Sequence, residues 1–276
     1  MSGLSTAINS FGDQLRHWRK SQRLSQLDLA LLANVSQRHL SFLESGRSAP
    51  TPEMILKLAT VMELPLRTQN LLLSAAGFAP VHSETDLDAP EMTPIRQALD
   101  FMLAQQEPYP ALVMDRHWNL LRANQAALKV LGQLVDLSAL DPVLCPDGPI
   151  NVMYLTLHPK GLMPYLENGR QVAAHLLQRL QREALIAGEA SAAQRMYRTL
   201  LVHYPNLDTS GPDSHHGHAP FLSTIFVKDG MRLDVFSTIT TLGTPGDITL
   251  QELRIESLFP ADAVTEQVLK ALAKAV

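Results

Sequence analysis

The segment "SQRHLSFLESGR", residues 36–47, decides how the first part of this chain is interpreted. Ser36 is a good helix N-cap, because its hydroxyl can accept a hydrogen bond from a backbone amide of the first turn. Gly46 is typical of a helix end, since glycine readily adopts the left-handed conformation found there. Leu40 and Leu43 share one face of the helix between them. The helix is either an ordinary surface helix or one that lies in a groove of DNA.

Further helical segments flank this one on both sides. Apolar residues recur at helical spacing from Phe11 to Arg23, and Ser25 is the capping residue of a second helix. After the quoted segment, "TPE" at 51–53 places proline at a first helical position, and a last helix runs from about Leu66 to Ala76. Five helices, with a short link between the second and the third, predict an all-α helix-turn-helix bundle.

The outward positions of the third helix favour the DNA alternative. Their side chains are of the types that reach base edges and phosphates: Gln37, Arg38, His39, Ser41 and Arg47. The charge distribution gives weak support. Residues 1–80 carry eight Lys/Arg against five Asp/Glu, whereas the rest of the chain carries 15 against 22. A mildly basic head therefore precedes an acidic body.

Composition indicates the number of domains and the cellular compartment of the protein. The 276 residues are 46% hydrophobic, which is enough for two cores. We expect no signal peptide, because the sequence does not start with a basic segment followed by an apolar one. We expect no transmembrane helix, because no apolar stretch is long enough to span a membrane. The single cysteine, Cys145, excludes an internal disulfide and favours a reducing cytoplasm.

Residues 11–77 resemble the phage-repressor-type (XRE) helix-turn-helix domain in spacing, caps and core. The resemblance implies that Gln26 bonds a phosphate, that Arg47 touches the DNA backbone, and that Arg19 pairs with Glu44. It also implies that the recognition helix reads bases through its first residues, Ser36, Gln37, Arg38 and His39. The sequence departs from the family at Asn34, where glycine is more usual; asparagine tolerates the same conformation.

The remaining chain divides at a linker. Residues 79–94, "APVHSETDLDAPEMTP", are rich in proline, serine and acids and lack periodicity. We therefore predict an N-terminal tail over 1–10, a DNA-binding domain over 11–78, this linker, and a ligand-sensing domain over 95–276.

The body has the sequence pattern of an α+β domain. "ALVMDRHWNLLRANQAALKVLG" (111–132) predicts strand, turn, strand and capped helix, and Asp229-Gly230 predicts a two-residue hairpin turn. "ITLQELRIESLF" (248–259) adds a predicted third strand beside the hairpin. The hairpin places five apolar residues on one face: Leu222, Phe226, Leu233, Val235 and Ile239. We predict a PAS-like fold in which helices cover one apolar face of an antiparallel sheet.

Residues 95–260 resemble the C-terminal domain of MmyB-like transcription regulators, on "PALVMDRHWNLLRAN" and "LGTPGDITLQELRIESLFPAD" among other segments. The resemblance implies an apolar pocket for a small ligand of fatty-acyl character. Methionines suit a deformable pocket wall, although each is also an ordinary core residue. We expect the pocket at Met114, Trp118, Arg122, Tyr154, His158, Phe226, Leu233 and Val235. Arg122, Tyr154 and His158 would hold an anionic head group.

Enzyme and metal chemistry have little support. The sequence contains no phosphate-binding glycine loop, nucleophile elbow or paired-cysteine zinc motif. Asp213, His215, His216 and His218 could bind zinc or nickel, but their Gly, Pro and Ser neighbours favour a solvated loop. We therefore expect no catalytic residues, no metal and no required cofactor.

The sequence thus predicts a cytoplasmic one-component transcription regulator. Its head would bind operator DNA as a homodimer, and its body would bind a small apolar effector that modulates this binding. Two alternatives remain. The body could serve only for dimerisation or protein docking, or an enzyme could carry an accessory DNA-binding head. An apolar pocket with a bound lipid would favour the sensor, and a filled core without a pocket would favour the docking module.

Overall fold

The structure is a computed structural model, and it describes residues 10–187, 191–207 and 221–274. The predicted N-terminal tail lies outside the described residues, apart from Ser10. The chain forms two compact units. The head comprises the chain up to Asp86 together with Leu242–Gln251, and the body comprises Leu87–Thr241 and the chain from Glu252 onwards.

Five helices form the first part of the head, as predicted. They are α1 (Phe11–Ser21), α2 (Gln26–Leu32), α3 (Gln37–Glu44), α4 (Pro52–Val61) and α5 (Leu66–Ala75). Their inner faces make one apolar core, in which several leucines and one isoleucine are fully buried: Leu15, Leu29, Leu40, Leu43, Ile55, Leu58, Leu72 and Leu73. The head is thus a helix-turn-helix bundle with an apolar core.

Local capping sets where α2 and α3 begin and end. The Ser25 hydroxyl accepts from the Asp28 amide and the Asp28 carboxylate accepts from the Ser25 amide, which is a complete capping box. The Ser36 hydroxyl accepts from the His39 amide at 3.1 Å and starts α3. Between the helices, Asn34 has φ +49°, the left-handed conformation for which glycine is more usual. Asparagine therefore fulfils the conformational requirement of the turn.

The body contains the remaining elements, apart from the helix between its last two strands. Its helices are α6 (Thr93–Gln106), α7 (Gln125–Leu134), α8 (Val152–Leu157), α9 (Gly169–Ala187), α10 (Ala192–Leu201) and α12 (Ala263–Lys274). Its strands are β1 (Ala111–Met114), β2 (Leu120–Ala123), β3 (Thr224–Lys228), β4 (Met231–Thr240) and β5 (Arg254–Pro260). The helix α11 (Ile248–Glu252) lies between β4 and β5.

The five strands form one antiparallel sheet in the order β2-β1-β5-β4-β3. With the helices packed on it, this sheet gives the body its PAS-like α+β fold. The β3–β4 hairpin turns at Asp229 and Gly230, both with positive φ, as the Asp-Gly pair predicts. Phe226 lies opposite Leu233 across the hairpin, so these two residues share a face.

The centre of the sheet is covered on both faces, not on one as predicted. Leu112 and Val113 are consecutive on β1 and point to opposite faces, yet each is buried. On β5 they lie opposite Glu256 and Ile255 respectively. Glu256 therefore points to an enclosed face and not to solvent.

The segment before β5 also differs from the prediction. "ITLQE" forms α11 instead of strand, and only the residues from Arg254 onwards are extended. Leu242–Gln251 packs with the head, whereas the sequence boundaries placed it in the body. The β-branched start of this segment suggested a strand, but its hydrogen bonds, described below, are made to residues 66–85.

Candidate DNA-binding surface and ligand cavity

The N-terminal half of α3 has an exposed face. Ser36, Gln37 and Arg38 are exposed, and His39 and Ser41 are partly exposed, on the side away from the core leucines. Arg47, just beyond α3, is exposed as well. The structure thus places the predicted base-contacting side chains on one accessible helix surface.

Phe42 makes cation–π contacts with two arginine side chains on this surface. The sequence interpretation missed these contacts. The guanidinium carbons of Arg38 and Arg47 lie 5.3 and 5.8 Å from the centre of its ring. Such cation–π contacts restrain long side chains without neutralising their charge. Arg38 and Arg47 are therefore both restrained against Phe42 while remaining able to bond a base edge or a phosphate. The aromatic residue midway between two arginines was the available sequence signal.

Glu44, at the end of α3, fixes the orientation of that helix. Its side chain is buried, and Arg19 donates to both carboxylate oxygens, from Nε at 2.6 Å and from Nη2 at 3.0 Å. Gln26 donates from Nε2 at 2.8 Å, and Arg16 donates to the Glu44 backbone carbonyl at 3.1 Å. Burial raises the pKa of Glu44, but the bonds from Arg19 and Gln26 outweigh burial and lower it overall. The carboxylate is therefore ionised at neutral pH and joins α1, α2 and α3.

Gln26 has a structural partner in addition to its predicted phosphate contact. An amide group carries two N–H donors, and the bond to Glu44 uses one of them. The side chain is partly exposed, so the second donor is compatible with a phosphate. A substitution at Gln26 would thus affect both the position of α3 and any phosphate bond.

A partly open cavity of about 280 Å³ lies within the body. Residues of the sheet, of α7, of α8 and of α9 line it, among them Leu112, Leu131, Met153 and Leu176. Among the described residues, six of those that line it are polar or charged: Thr156, His175, Arg179, Thr224, Ser237 and Glu256. The volume is near the lower end of the range for ligand sites, and an apolar wall with a few polar groups is their usual composition.

Glu256 is the acidic group of this wall. It lies on the middle strand, opposite Leu112 on β1 and Ile239 on β4, which also line the cavity. Burial raises the pKa of Glu256, and this outweighs the opposite effects of the Ser237 hydroxyl and the Arg179 charge. Burial therefore favours the neutral carboxylic acid, which can donate a hydrogen bond into the cavity.

A second set of contacts places Arg179 beside Trp118. The Arg179 guanidinium lies 4.6 Å from the centre of the indole ring, and that of Arg254 lies 4.2 Å from it. The indole N–H donates to Glu183 Oε2 at 3.0 Å, and Arg254 Nη2 lies 3.0 Å from the other oxygen of Glu183. Trp118 and Arg179 belong to the cavity wall, so this packed cluster forms part of that wall.

Five of the eight predicted pocket residues divide into two groups. Trp118, Phe226 and Val235 line the cavity, whereas Met114 and Leu233 are buried outside its lining. In a regular strand, Leu112 and Met114 would point to the same face. The pairing of β1 with β2 is irregular between Val113 and Met114, so this alternation does not hold there.

The three proposed polar anchors are elsewhere, which corrects that expectation. Arg122 is on the edge strand, with Nη1 2.6 Å from Asp100 Oδ1. Tyr154 is buried in the core, and His158 packs edge-to-face on His203 with ring centres 4.6 Å apart. The polar groups at the cavity are the six named above. The sequence interpretation missed Glu256 because it assumed a sheet with one covered face.

The remaining predictions concern metal binding, membrane insertion and the single cysteine. The stretch from Asp213 to His218 lies outside the described residues. Within the described ranges, no group of three or more His, Cys, Asp or Glu side chains is arranged to hold a metal ion. Among the described helices, none is long and apolar enough to cross a membrane. Cys145 is partly buried.

Comparison with known proteins agrees with this architecture. Residues 95–272 match the MmyB-like transcription regulator ligand binding domain, and residues 15–69 match a helix-turn-helix family. The chain is 34% identical over 85 residues to the HTH-type transcriptional regulator RghRB of Bacillus subtilis (strain 168). It is 31% identical over 119 residues to the HTH-type transcriptional repressor RghR of the same organism. These alignments cover 30% and 41% of the chain, and 59% and 81% of the two relatives.

Two solved structures are also similar to parts of the chain. One is the restriction-modification controller protein C.AhdI from Aeromonas hydrophila, at 32% identity and a TM-score of 0.21. The match covers 22% of this chain and 94% of that protein. The other is an RNA-binding light-oxygen-voltage receptor, at 14% identity and a TM-score of 0.28, covering 96% of this chain and 62% of the receptor.

Proposed function

The chain belongs to the MmyB-like transcription regulators with an N-terminal helix-turn-helix, and we propose that it is a one-component regulator of the following kind. The head binds a double-stranded operator as a homodimer, with α3 in the major groove. The body binds a small apolar effector in its cavity, and occupancy of the cavity changes operator affinity. The protein acts in the cytoplasm, and neither catalysis nor a bound cofactor is part of this function.

The surface of α3 supports the DNA-binding part of the proposal. Gln37 and Arg38 are exposed at its first turn, and a glutamine or arginine side chain can bond a base edge in two places at once. The Glu44 cluster holds the helix from its other end. Arg47 lies beyond the helix, where a phosphate contact positions the protein without reading sequence.

We expect Arg38→Ala and Gln37→Ala each to weaken operator binding by about 1–3 kcal/mol and to relax base preference, since each removes a base contact. The measurement is a titration of the full-length variants with a duplex selected from a random pool and with a scrambled duplex. Lys57→Ala, at an exposed position of α4 outside the proposed contacts, is the control. Unchanged affinity of both α3 variants for both duplexes would show that α3 is not the recognition helix.

The cavity carries the sensing part of the proposal. A cavity of about 280 Å³ with mainly aliphatic and aromatic walls is suited to one small apolar ligand. Arg179 and a neutral Glu256 can both donate to the oxygen atoms of an acyl head group, while the leucine-rich wall contacts the chain. This arrangement supports a ligand of fatty-acyl character. It favours a sensor over the docking-module alternative, because that alternative predicts a filled core.

The direct test is to identify what the protein retains on purification. The full-length protein would be extracted with organic solvent, and the extract analysed by mass spectrometry beside that of an unrelated DNA-binding protein from the same host. An apolar acyl compound in stoichiometric amount supports the proposal. Failure to retain or to bind any apolar compound would favour a body that serves in assembly or docking.

A further inference from the structure

The connection between β4 and β5 leaves the body and joins the head. After Thr240 the chain enters the head unit at Leu242, and it returns to the sheet after Gln251. We call Leu242–Gln251 the strap. By contrast, β3 and β4 are joined directly by the tight Asp229-Gly230 turn.

Asp247 holds the strap in the head. Its carboxylate accepts hydrogen bonds from Ser83 Oγ at 2.8 Å, Thr85 Oγ1 at 2.7 Å and the Thr85 amide at 3.1 Å. In return, the Ile248 amide donates to the Ser83 carbonyl at 2.9 Å. Asp247 is only 7% exposed. Burial alone would raise the pKa of Asp247, but the bonds from Thr85 and Ser83 lower it overall, so the buried carboxylate is ionised.

Gln251 makes a second contact with the head, at the start of α5. Its Oε1 accepts from the Leu66 amide at 2.7 Å. Leu66 is the first residue of α5, and Pro65 before it provides no side-chain cap. An N-terminal helix amide needs an acceptor from outside the helix, and the strap supplies one. The strap therefore helps to define the first turn of α5.

Residues 81–85, where the strap binds, are themselves fixed to α5. Asn70 Oδ1 accepts from the Val81 and His82 amides, and Asn70 Nδ2 donates to the His82 carbonyl at 2.7 Å. The His82 ring also bonds the Gln69 side chain at 2.9 Å. A change in the strap would consequently reach α5 by two routes, through Gln251 and through residues 81–85.

The two strands that the strap connects contribute residues to the cavity wall. Ile239 of β4 and Glu256 of β5 pair across the sheet, and both belong to the cavity wall. The next pair, Thr240 with Ile255, is the last before the two strands separate towards the strap. A ligand that contacts Ile239 and Glu256 thus acts on the strand ends from which the strap departs.

We infer that the strap is the element that carries the effect of cavity occupancy to the DNA-binding head, with Asp247 as its anchor. The inference rests on the proposed function, since it names how that same cavity regulates DNA binding. Coupling between two sites requires contacts that differ between the ligand-bound and ligand-free states. The strap offers such contacts because it is continuous with the cavity strands and hydrogen-bonded to the head.

The test compares wild type with Asp247→Ala in the full-length chain. The ligand probe is cis-parinaric acid, a fluorescent fatty acid, and the DNA is a duplex selected from a random pool. In wild type, saturating probe should change the Kd for the duplex by about fivefold or more, the lower range of allosteric coupling. In Asp247→Ala this ratio should fall to near one, while the Kd of each ligand alone stays close to wild type.

Two further variants make the result specific. Asp147→Ala removes an exposed aspartate of the body and should retain the wild-type ratio. Gln251→Ala removes the side-chain acceptor of the Leu66 amide and should reduce the ratio; it also provides the test if Asp247→Ala does not fold. Faster hydrogen exchange at the Ile248 and Thr85 amides would verify that the strap is released.

The outcomes separate this inference from the proposed function. A wild-type ratio retained in folded Asp247→Ala, or in Gln251→Ala if that variant is needed, would overturn the role of the strap alone. If wild-type protein binds no apolar compound, cis-parinaric acid included, or binds the probe without any change in DNA affinity, the proposed sensor function fails and this inference fails with it.

Discussion

Replacing Glu44 with alanine should lower the free energy of unfolding of the head by about 3 kcal/mol or more, the cost of breaking a buried ion pair. The reason is that Arg19 would keep its charge in a buried position without the carboxylate that now accepts from its Nε and Nη2. Gln26 would also lose its acceptor. Because these groups join α1 and α2 to the end of α3, recognition of DNA should weaken together with stability.

Hydrogen exchange of the α3 amides in the full-length protein is the appropriate measurement, because a global melt would mix the unfolding of the two units. Glu53→Ala, at an exposed first-turn position of α4, is the matched control. It should lower the free energy of unfolding by much less than Glu44→Ala does. Equal losses of protection in the two variants would contradict a stabilising role for the buried pair.

The same cluster predicts acid sensitivity of the head. The pKa of Glu44 is lowered in the folded state, so its stabilising contribution is present at neutral pH and is lost as the pH falls through that lowered value. Glu44→Ala should lack this part of the acid-induced loss. A pH series of α3 exchange in wild type and variant measures the difference, and identical pH profiles would rule it out.

Filling the cavity should abolish ligand binding without disturbing the head. Leu176 lies on α9 and lines the cavity, so Leu176→Trp would place an indole where the ligand must lie. We expect the affinity for cis-parinaric acid to fall by at least about 3 kcal/mol, more than about 100-fold, since the two cannot occupy the same close-packed space. Fluorescence titration of the full-length protein measures this loss.

Leu185→Trp is the control for the same substitution. Leu185 is also on α9 but is 73% exposed, and it does not belong to the cavity wall. It should leave probe affinity unchanged, and both variants should bind the selected duplex like ligand-free wild type. If Leu176→Trp binds the probe as tightly as Leu185→Trp does, the probe occupies some other place on the protein.

The head was largely predictable because its signals are local. Ser25, Ser36 and the Thr51-Pro52 pair specify helix starts within three residues of themselves, and Asn34 specifies the turn between α2 and α3. The five helices and the exposed start of α3 followed from these signals. The orienting bond from Gln26 to Glu44 did not, because it joins residues 18 positions apart through a chosen rotamer.

The fold class of the body was predictable from the sequence, but the polar residues that line its cavity were not. Asp229-Gly230 specified the hairpin, and the apolar run Ala111–Met114 was recognised as a strand. A strand without a polar residue on either face indicates burial on both faces, and that signal would have placed Glu256 inside. Arg122 was assigned to the pocket, but it pairs with Asp100, 22 positions away in the sequence, and periodicity does not reveal such a contact.

The strap could not be predicted, because its partners are remote in sequence. Gln251 bonds Leu66 across 185 positions, and Asp247 bonds Thr85 across 162. Periodicity and propensity are properties of neighbouring residues and carry no information about such contacts. In the sequence, β-branched and apolar residues around Ile248 read as strand, whereas packing with the head selected a short helix.

The central claim is that cavity and operator are coupled, and a reciprocal titration of the full-length protein tests it most directly. The Kd for cis-parinaric acid would be measured with and without saturating selected duplex, and the Kd for the duplex with and without saturating probe. We predict that both ratios differ from one and equal each other, as linkage between two sites on one molecule requires. Saturable binding of both ligands with both ratios equal to one would contradict the claim.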